Sequence, residues 1–302
     1  MENNLSDKNE NKDRKGRGVS HSKIILMGEH SVVYGYPAIA IPLKNIRMEC
    51  IVERAMVPFI HNKKDTLSTA IYTALNYLNR KNENIKYKVI SDIPPKRGMG
   101  SSAAVSIAAI RGVLDYFNTE VDNLTLEKLV NEAEIIAHNT PSGLDAKTCL
   151  SDSAIKFIKN KGFKNLEMNL GAYLLIADTG IHGHTRDAIM NIKNMGGRAL
   201  PMLEKLGKLT EETEKFIEEK DVINIGKNMI SAHGELKKLG VSIEKSDILV
   251  KAAIDEGAYG AKMSGGGLGG CIIALMESRE KAEMTGKKLM EKGAVNIWIE
   301  AL

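Results

Sequence analysis

Ile93-Pro-Pro-Lys-Arg-Gly-Met-Gly-Ser-Ser-Ala-Ala104 is the most informative stretch of this chain. Gly98 and Gly100 let the backbone turn tightly and approach a ligand, and Ser101 and Ser102 then open a helix running to about Phe117. Exposed N–H groups and the dipole at a helix start favour an anion, and Lys96 and Arg97 just upstream add to that preference. Three readings compete. One is an ordinary strand-to-helix turn with Ser101 as a plain N-cap. Another is a dinucleotide fingerprint, because Gly98-x-Gly100-x-x-Ala103 formally matches. That motif wants its first glycine at the end of a strand, whereas Ser91–Arg97 separates Val89 from Gly98. The third is a nucleotide-phosphate loop, though not a Walker A loop, since no Gly-Lys-[Ser/Thr] follows. The plain turn and the phosphate loop stand about level on these residues alone.

Working outward, Tyr87–Val89 reads as a short strand ended by Pro94-Pro95. Thr66–Leu78 reads as a helix, with Leu67, Ala70, Ile71, Ala74, Leu75 and Leu78 at helical spacing. Arg47–Glu53 alternates as a strand, and Lys23–Met27 is a strand-like run leading into Gly28-Glu29-His30. Downstream, a helix is expected over Leu126–His138 and a buried strand over Ala172–Ala177. Amphipathic helices follow at Thr185–Asn194, Ala199–Lys220 and Val222–Leu239. Glu280–Gly293 reads as a further helix and Asn296–Ile299 as a closing strand. Strands and helices in this irregular order indicate an α+β fold. Residues 1–19 are polar and mixed in charge, so a disordered tail is expected there. A link between two halves is expected near Lys159–Asn169, giving domains at 20–168 and 169–302.

Three further segments carry chemistry. Met263-Ser-Gly-Gly-Gly-Leu-Gly-Gly270 has five glycines in six positions, costly in ordered structure unless backbone packs closely against something. It is a flexible hairpin loop or, with the first loop, part of one anion site. Glu134 sits at the border of the apolar face of the Leu126–His138 helix. It is an ordinary i,i+4 partner for His138 or a carboxylate ligand for Mg²⁺, which prefers hard oxygens and keeps several waters. In Asn139-Thr-Pro-Ser-Gly-Leu-Asp145, Asp145 falls near a new helix start. Capping is its plain role, and a place beside the accepting hydroxyl of a phosphotransfer is the other. Lys23 and His30 each have structural readings too, as a snorkelling lysine and a hydrogen-bonded strand-end histidine.

Composition narrows the classes. With 302 residues, 43% hydrophobic and 26% charged, the chain suits about two globular domains. Its longest apolar runs, Ala172–Ala177 and Cys271–Met276, fall far short of the ~20 residues of a membrane span. The net charge of +4 and 5% aromatic content form no basic, aromatic-interleaved stripe, so nucleic-acid binding is not expected. Cys50, Cys149 and Cys271 are scattered, which points away from disulfides and zinc and toward a reducing, cytoplasmic compartment. No Gly-x-Ser-x-Gly elbow anchors a hydrolase triad.

The motifs together resemble the galactokinase, homoserine kinase, mevalonate kinase and phosphomevalonate kinase (GHMP) superfamily, and within it the bacterial type of mevalonate kinase. Lys23-Ile-Ile-Leu-Met-Gly-Glu-His-Ser-Val-Val-Tyr-Gly-Tyr-Pro-Ala38 is similar to the family's N-terminal motif. Pro95-Lys-Arg-Gly-Met-Gly-Ser-Ser-Ala103 resembles its ATP loop, with Met99 where leucine is commoner. Asn139–Asp145 and Lys262–Gly270 resemble its remaining motifs. The resemblance implies an N-terminal domain with a left-handed β-α-β unit and a ferredoxin-like C-terminal domain. It implies ATP held by Pro95, Lys96, Arg97, Gly98, Met99, Gly100, Ser101 and Ser102 and closed over by Gly265, Gly266 and Gly267. Mg²⁺ would be bound by Ser102 and Glu134, and mevalonate by Glu29, His30 and Thr185. Asp145 and Lys23 would be catalytic, Asp145 either as base or only orienting Lys23 and the hydroxyl. Expected as well are a monomer or homodimer and room for an isoprenoid-pathway feedback ligand. A sister kinase acting on phosphomevalonate or another small alcohol, and a non-catalytic sensor, are the rival readings.

Overall fold

The computed structural model describes residues 14–138 and 143–302. Contacts divide the chain into two units, the first Met1–Ser22, Leu43–Pro94 and Gly100–Leu150, the second Lys23–Pro42, Pro95–Met99 and Ser151–Leu302. The second unit therefore takes chain from both sides of the expected boundary at residue 168, whereas the first lies wholly before it. Two long strands, β1 (Lys15–Met27) and β2 (Ala38–Arg54), contribute residues to both.

In the first unit, β3 (Ile85–Ser91) pairs antiparallel with the second half of β2, Met48 facing Ser91 and Arg54 facing Ile85. The helices are α1 (Thr66–Tyr77), α2 (Ser101–Tyr116), α3 (Asn123–His138) and α4 (Leu144–Leu150). Asp65 caps α1 by accepting from Ser68 N at 2.8 Å. Helix α2 is buried on nearly every side, through Ala103, Ala104, Ile107, Ala108, Ala109, Ile110 and Val113. Its alanines leave the backbone accessible, and β1 lies directly on it: a Cβ at Gly18 would fall 2.0 Å from the Ala108 carbonyl oxygen.

That contact corrects the expected tail. Lys15–Val19 is strand, not disordered, and residues 1–13 lie outside the described residues. Its polar residues form one edge of the strand, where Lys15 pairs with Glu53 at 2.7 Å and Arg17 with Glu49 at 3.3 Å. Composition alone missed it because the apolar surface being covered belongs to α2.

In the second unit, β4 (Ala154–Ile158) and β5 (Gly162–Leu166) form a hairpin, and β4 also pairs with Ala38–Ala40 of β2. The expected link at Lys159–Asn169 thus contains a strand, with the turn at Lys159–Lys161. β6 (Tyr173–Asp178) is followed by α5 (Thr185–Met195), α6 (Leu200–Glu218), α7 (Val222–Lys238) and α8 (Glu244–Asp255). Next come β7 (Gly260–Ser264), β8 (Cys271–Met276), α9 (Arg279–Glu291) and β9 (Asn296–Ala301). The sheet runs β7-β8-β6-β9 and its ladders are antiparallel. Alternate residues Leu175, Ala177, Ile272 and Ala274 meet Leu249, Ala253, Ala282 and Leu289 of α8 and α9 in one core. Helix α8 was not anticipated. Among the described residues no helix is long and apolar enough to cross a membrane.

Candidate active site

The first unit holds five of the expected residues, Gly100, Ser101, Ser102, Glu134 and Asp145. Gly100, at φ 72°, caps α2 without any side-chain hydrogen bond, so Ser101 is not the N-cap. Gly100 lends no side chain to the first N–H groups of α2, and a glycine-led helix start of this kind suits an anion. Within this first turn, Ser102 Oγ donates to Glu134 Oε1 at 2.9 Å, and one turn on Ser106 Oγ donates to the same oxygen at 3.0 Å. Glu134 is buried and turned toward α2. The His138 side chain lies outside the described residues. A serine hydroxyl beside a carboxylate is a hard-oxygen pair suited to Mg²⁺ carrying waters and phosphates. Among the described residues no cluster of three or more His, Cys, Asp or Glu builds a cage for a metal by protein groups alone. Asp145 lies half-buried in the first turn of α4. Asn139–Ser142, the rest of its motif, lie outside the described residues.

The second unit brings together the two glycine loops. A Cβ on Gly265 would fall 2.9 Å from Gly98 Cα, so only glycine at both positions lets the chains touch backbone to backbone. Further contacts fasten this junction: Gly183 N donates to Lys96 O at 2.8 Å, and His184 N to Gly267 O at 3.0 Å. The Thr185 hydroxyl lies against Gly266, within 1.8 Å of where a Cβ would stand. Arg97 does more than offer charge. Its Nε donates to Asp178 at 2.7 Å and its Nη2 to Gly180 O at 3.1 Å, while Nη1 is buried without a partner among the described residues. The guanidinium therefore ties the loop to the end of β6, and a single nitrogen remains for another ligand.

Lys23, Glu29 and His30 lie in this unit as well. Lys23 is buried, and its backbone N donates to Met99 O at 3.2 Å. Glu29 forms a fully buried ion pair with Lys262 of β7. Burial pushes the Glu29 carboxyl up and the Lys262 ammonium down, and each opposes the other's shift by its charge. His30, at φ 61°, is held by burial at a pKa of about 4, so its ring is neutral at physiological pH. Glu29 Oε2 and His30 Nε2 are both buried and without hydrogen-bond partners among the described residues.

Lys262, Asp178 and Ser106 escaped the sequence reading. A lysine between Ala261 and Met263 in a strand was the available signal for the first, and a serine one turn beyond Ser102 for the last. Nothing local marks Asp178 as the anchor of Arg97.

Comparison with known proteins agrees with this architecture. Residues 68–152 match the family GHMP kinases N terminal domain, and residues 213–293 match GHMP kinases C terminal. The chain is 31% identical to the mevalonate kinase of Pyrococcus furiosus, the match covering 89% of this chain and 91% of that one. The crystal structure of the Methanococcus jannaschii mevalonate kinase superposes with a TM-score of 0.84 at 25% identity, covering 96% of this chain and 99% of that one. The L. major mevalonate kinase, solved in complex with R-mevalonate, shares the fold with a TM-score of 0.84 at 24% identity, over 94% of both chains.

Proposed function

This chain belongs to the mevalonate kinase family of the GHMP kinases, and from that membership we infer that it transfers the γ-phosphoryl group of ATP to the C5 hydroxyl of mevalonate, giving 5-phosphomevalonate and ADP. The observation that carries the reading is the likeness, over nearly the whole chain, to a mevalonate kinase.

Each residue's task follows from its chemistry. The N–H groups at the glycine-led start of α2 suit the phosphates of ATP, and the exposed Lys96 adds a positive charge. Ser102 and Glu134 are the ligands assigned to Mg²⁺. When bound, Mg²⁺ neutralises phosphate charge. The backbone of Gly265–Gly267, with Thr185 against it, closes over the transferring group. Glu29 and His30 hold the acceptor.

Asp145 is assigned the hydroxyl proton and Lys23 the negative charge that grows on the oxygen. An ordinary aspartate lies roughly twelve pKa units below an alcohol, so it does not strip the proton before transfer begins. In a loose transition state the proton leaves late, as bonding to phosphorus makes the hydroxyl acidic. Asp145 then acts as an acceptor already in place, and Lys23 lowers the energy of the developing alkoxide.

The test is ADP release with Mg-ATP and, in turn, mevalonate, phosphomevalonate, galactose and homoserine. Turnover confined to mevalonate is expected. Preference for another acceptor would overturn the substrate assignment and with it the roles of Glu29 and His30.

A further inference from the structure

Lys262 has no part in the reaction as described, yet its side chain is fully buried, as is that of its partner Glu29. Both are held in place from other directions. Lys262 Nζ also donates to Met263 O at 2.7 Å. Met263 N donates to His233 Nδ1 at 3.3 Å. The next residue, Ser264, donates from Oγ to Ile25 O at 2.7 Å, and Ile25 lies four positions before Glu29.

As a stabilising device this pair is poorly made. Burying two charges often contributes no more than an apolar pair of the same volume, and it does so only when the remaining lone pairs are satisfied. Here Glu29 Oε2 is left without a partner among the described residues, and so is Nε2 of the adjoining His30. Orphaned groups in a buried setting call for an explanation. The nearby Gly266 backbone raises the His30 pKa against the stronger lowering by burial. A neutral ring carries one N–H and one lone pair, so Nε2 pairs with a hydroxyl either as donor or as acceptor. Two adjacent residues thus each present a buried polar atom without a partner among the described residues.

We infer that Lys262 is a positioning residue for the phosphoryl acceptor: by occupying Glu29 Oε1 it fixes the carboxylate so that Oε2 accepts from one hydroxyl of a polyhydroxy substrate beside His30 Nε2, which pairs with another. Lys262 touches neither reactant and acts through Glu29. The inference rests on the kinase reading above but not on which acceptor is used.

Steady-state kinetics of the full chain separate the two claims. The acceptor panel is run first on the unaltered protein, so a failure of the mevalonate assignment appears there. The variants are then measured with whichever acceptor turns over. Lys262→Met is expected to raise KM for that acceptor by about tenfold or more while KM for ATP stays within about twofold. Lys262→Arg, which keeps the charge, is expected to recover most of the loss. Glu29→Gln/Lys262→Met should be no worse than Glu29→Gln by more than about twofold, because coupled residues do not add. An unchanged acceptor KM in Lys262→Met, a parallel rise in both KM values, or a double variant matching the product of the singles would each overturn the inference. Should Lys262→Met fail to fold by circular dichroism, the comparison of Glu29→Gln with the double variant, which buries no charge, decides the matter alone.

Discussion

Glu134 keeps one oxygen against two hydroxyls, Ser102 at 2.9 Å and Ser106 at 3.0 Å, and that shared grip defines what its substitution should do. In Glu134→Gln the shape and the hydrogen-bonding oxygen are kept and the charge is lost. The Mg²⁺ concentration for half-maximal activity is expected to rise about tenfold, with little change in melting temperature. An unchanged Mg²⁺ dependence with a lowered melting temperature would give Glu134 a packing role only. Asp145 is read the same way. As an acidic residue in the first turn of α4 it stabilises that helix by only about 0.3–1 kcal/mol, whereas a positioned base contributes ~10²–10⁴ in rate. Asp145→Ala should therefore cut kcat by at least a hundredfold while ATP binding, followed by calorimetry, persists. Turnover within about tenfold of the unaltered chain would remove the base.

At the scale of elements, the decisive contact in the first unit is β1 on α2. A Cβ at Gly18 would lie 2.0 Å from the Ala108 carbonyl, which belongs to helix backbone and has no rotamer to yield. Gly18→Ala should cost roughly 1–3 kcal/mol, the range for overpacking, seen as a lower urea midpoint. A midpoint equal to that of the unaltered chain would mean that β1 does not sit on α2. This same element is where sequence reasoning fell short. Lys15–Val19 looks too polar to order, and it orders because its glycines fit an alanine-rich helix more than 80 residues away in the chain. Within single helices the sequence was far more legible. The spacing over Thr66–Leu78 and Leu126–His138 lies in α1 and α3, because amphipathic period is a local property.

For the whole molecule, the buried histidine at position 30 links folding to pH. Its pKa is lowered from 6.5 to about 4, by burial above all, so the folded chain refuses a proton that the unfolded chain accepts. The sign follows: this contribution is complete above about pH 6.5 and is lost as pH falls toward 4. At about 1.4 kcal/mol per unit, the loss across that window is about 3 kcal/mol. His233, also lowered by burial, adds in the same direction. Urea midpoints measured from pH 7 to 4 should decline, and His30→Gln should flatten the curve. An equal decline in that variant would assign the effect to other groups.

The sequence by itself determined the class of chemistry. Glycines at 98, 100 and 265–267, serines at a helix start, and Lys23, Glu29, His30 and Asp145 in a fixed order carry the resemblance to the GHMP kinases. Such signals are readable because turn geometry and helix starts depend on neighbours only a few residues away. Tertiary structure alone decided which polar groups are spent and which are left over. Arg97 is claimed by Asp178, 81 residues on, and Lys262 takes one oxygen of Glu29 across 233 residues, leaving the other without a partner among the described residues. A buried charge must be matched by whatever group the packing brings within reach, and no local pattern records that partner.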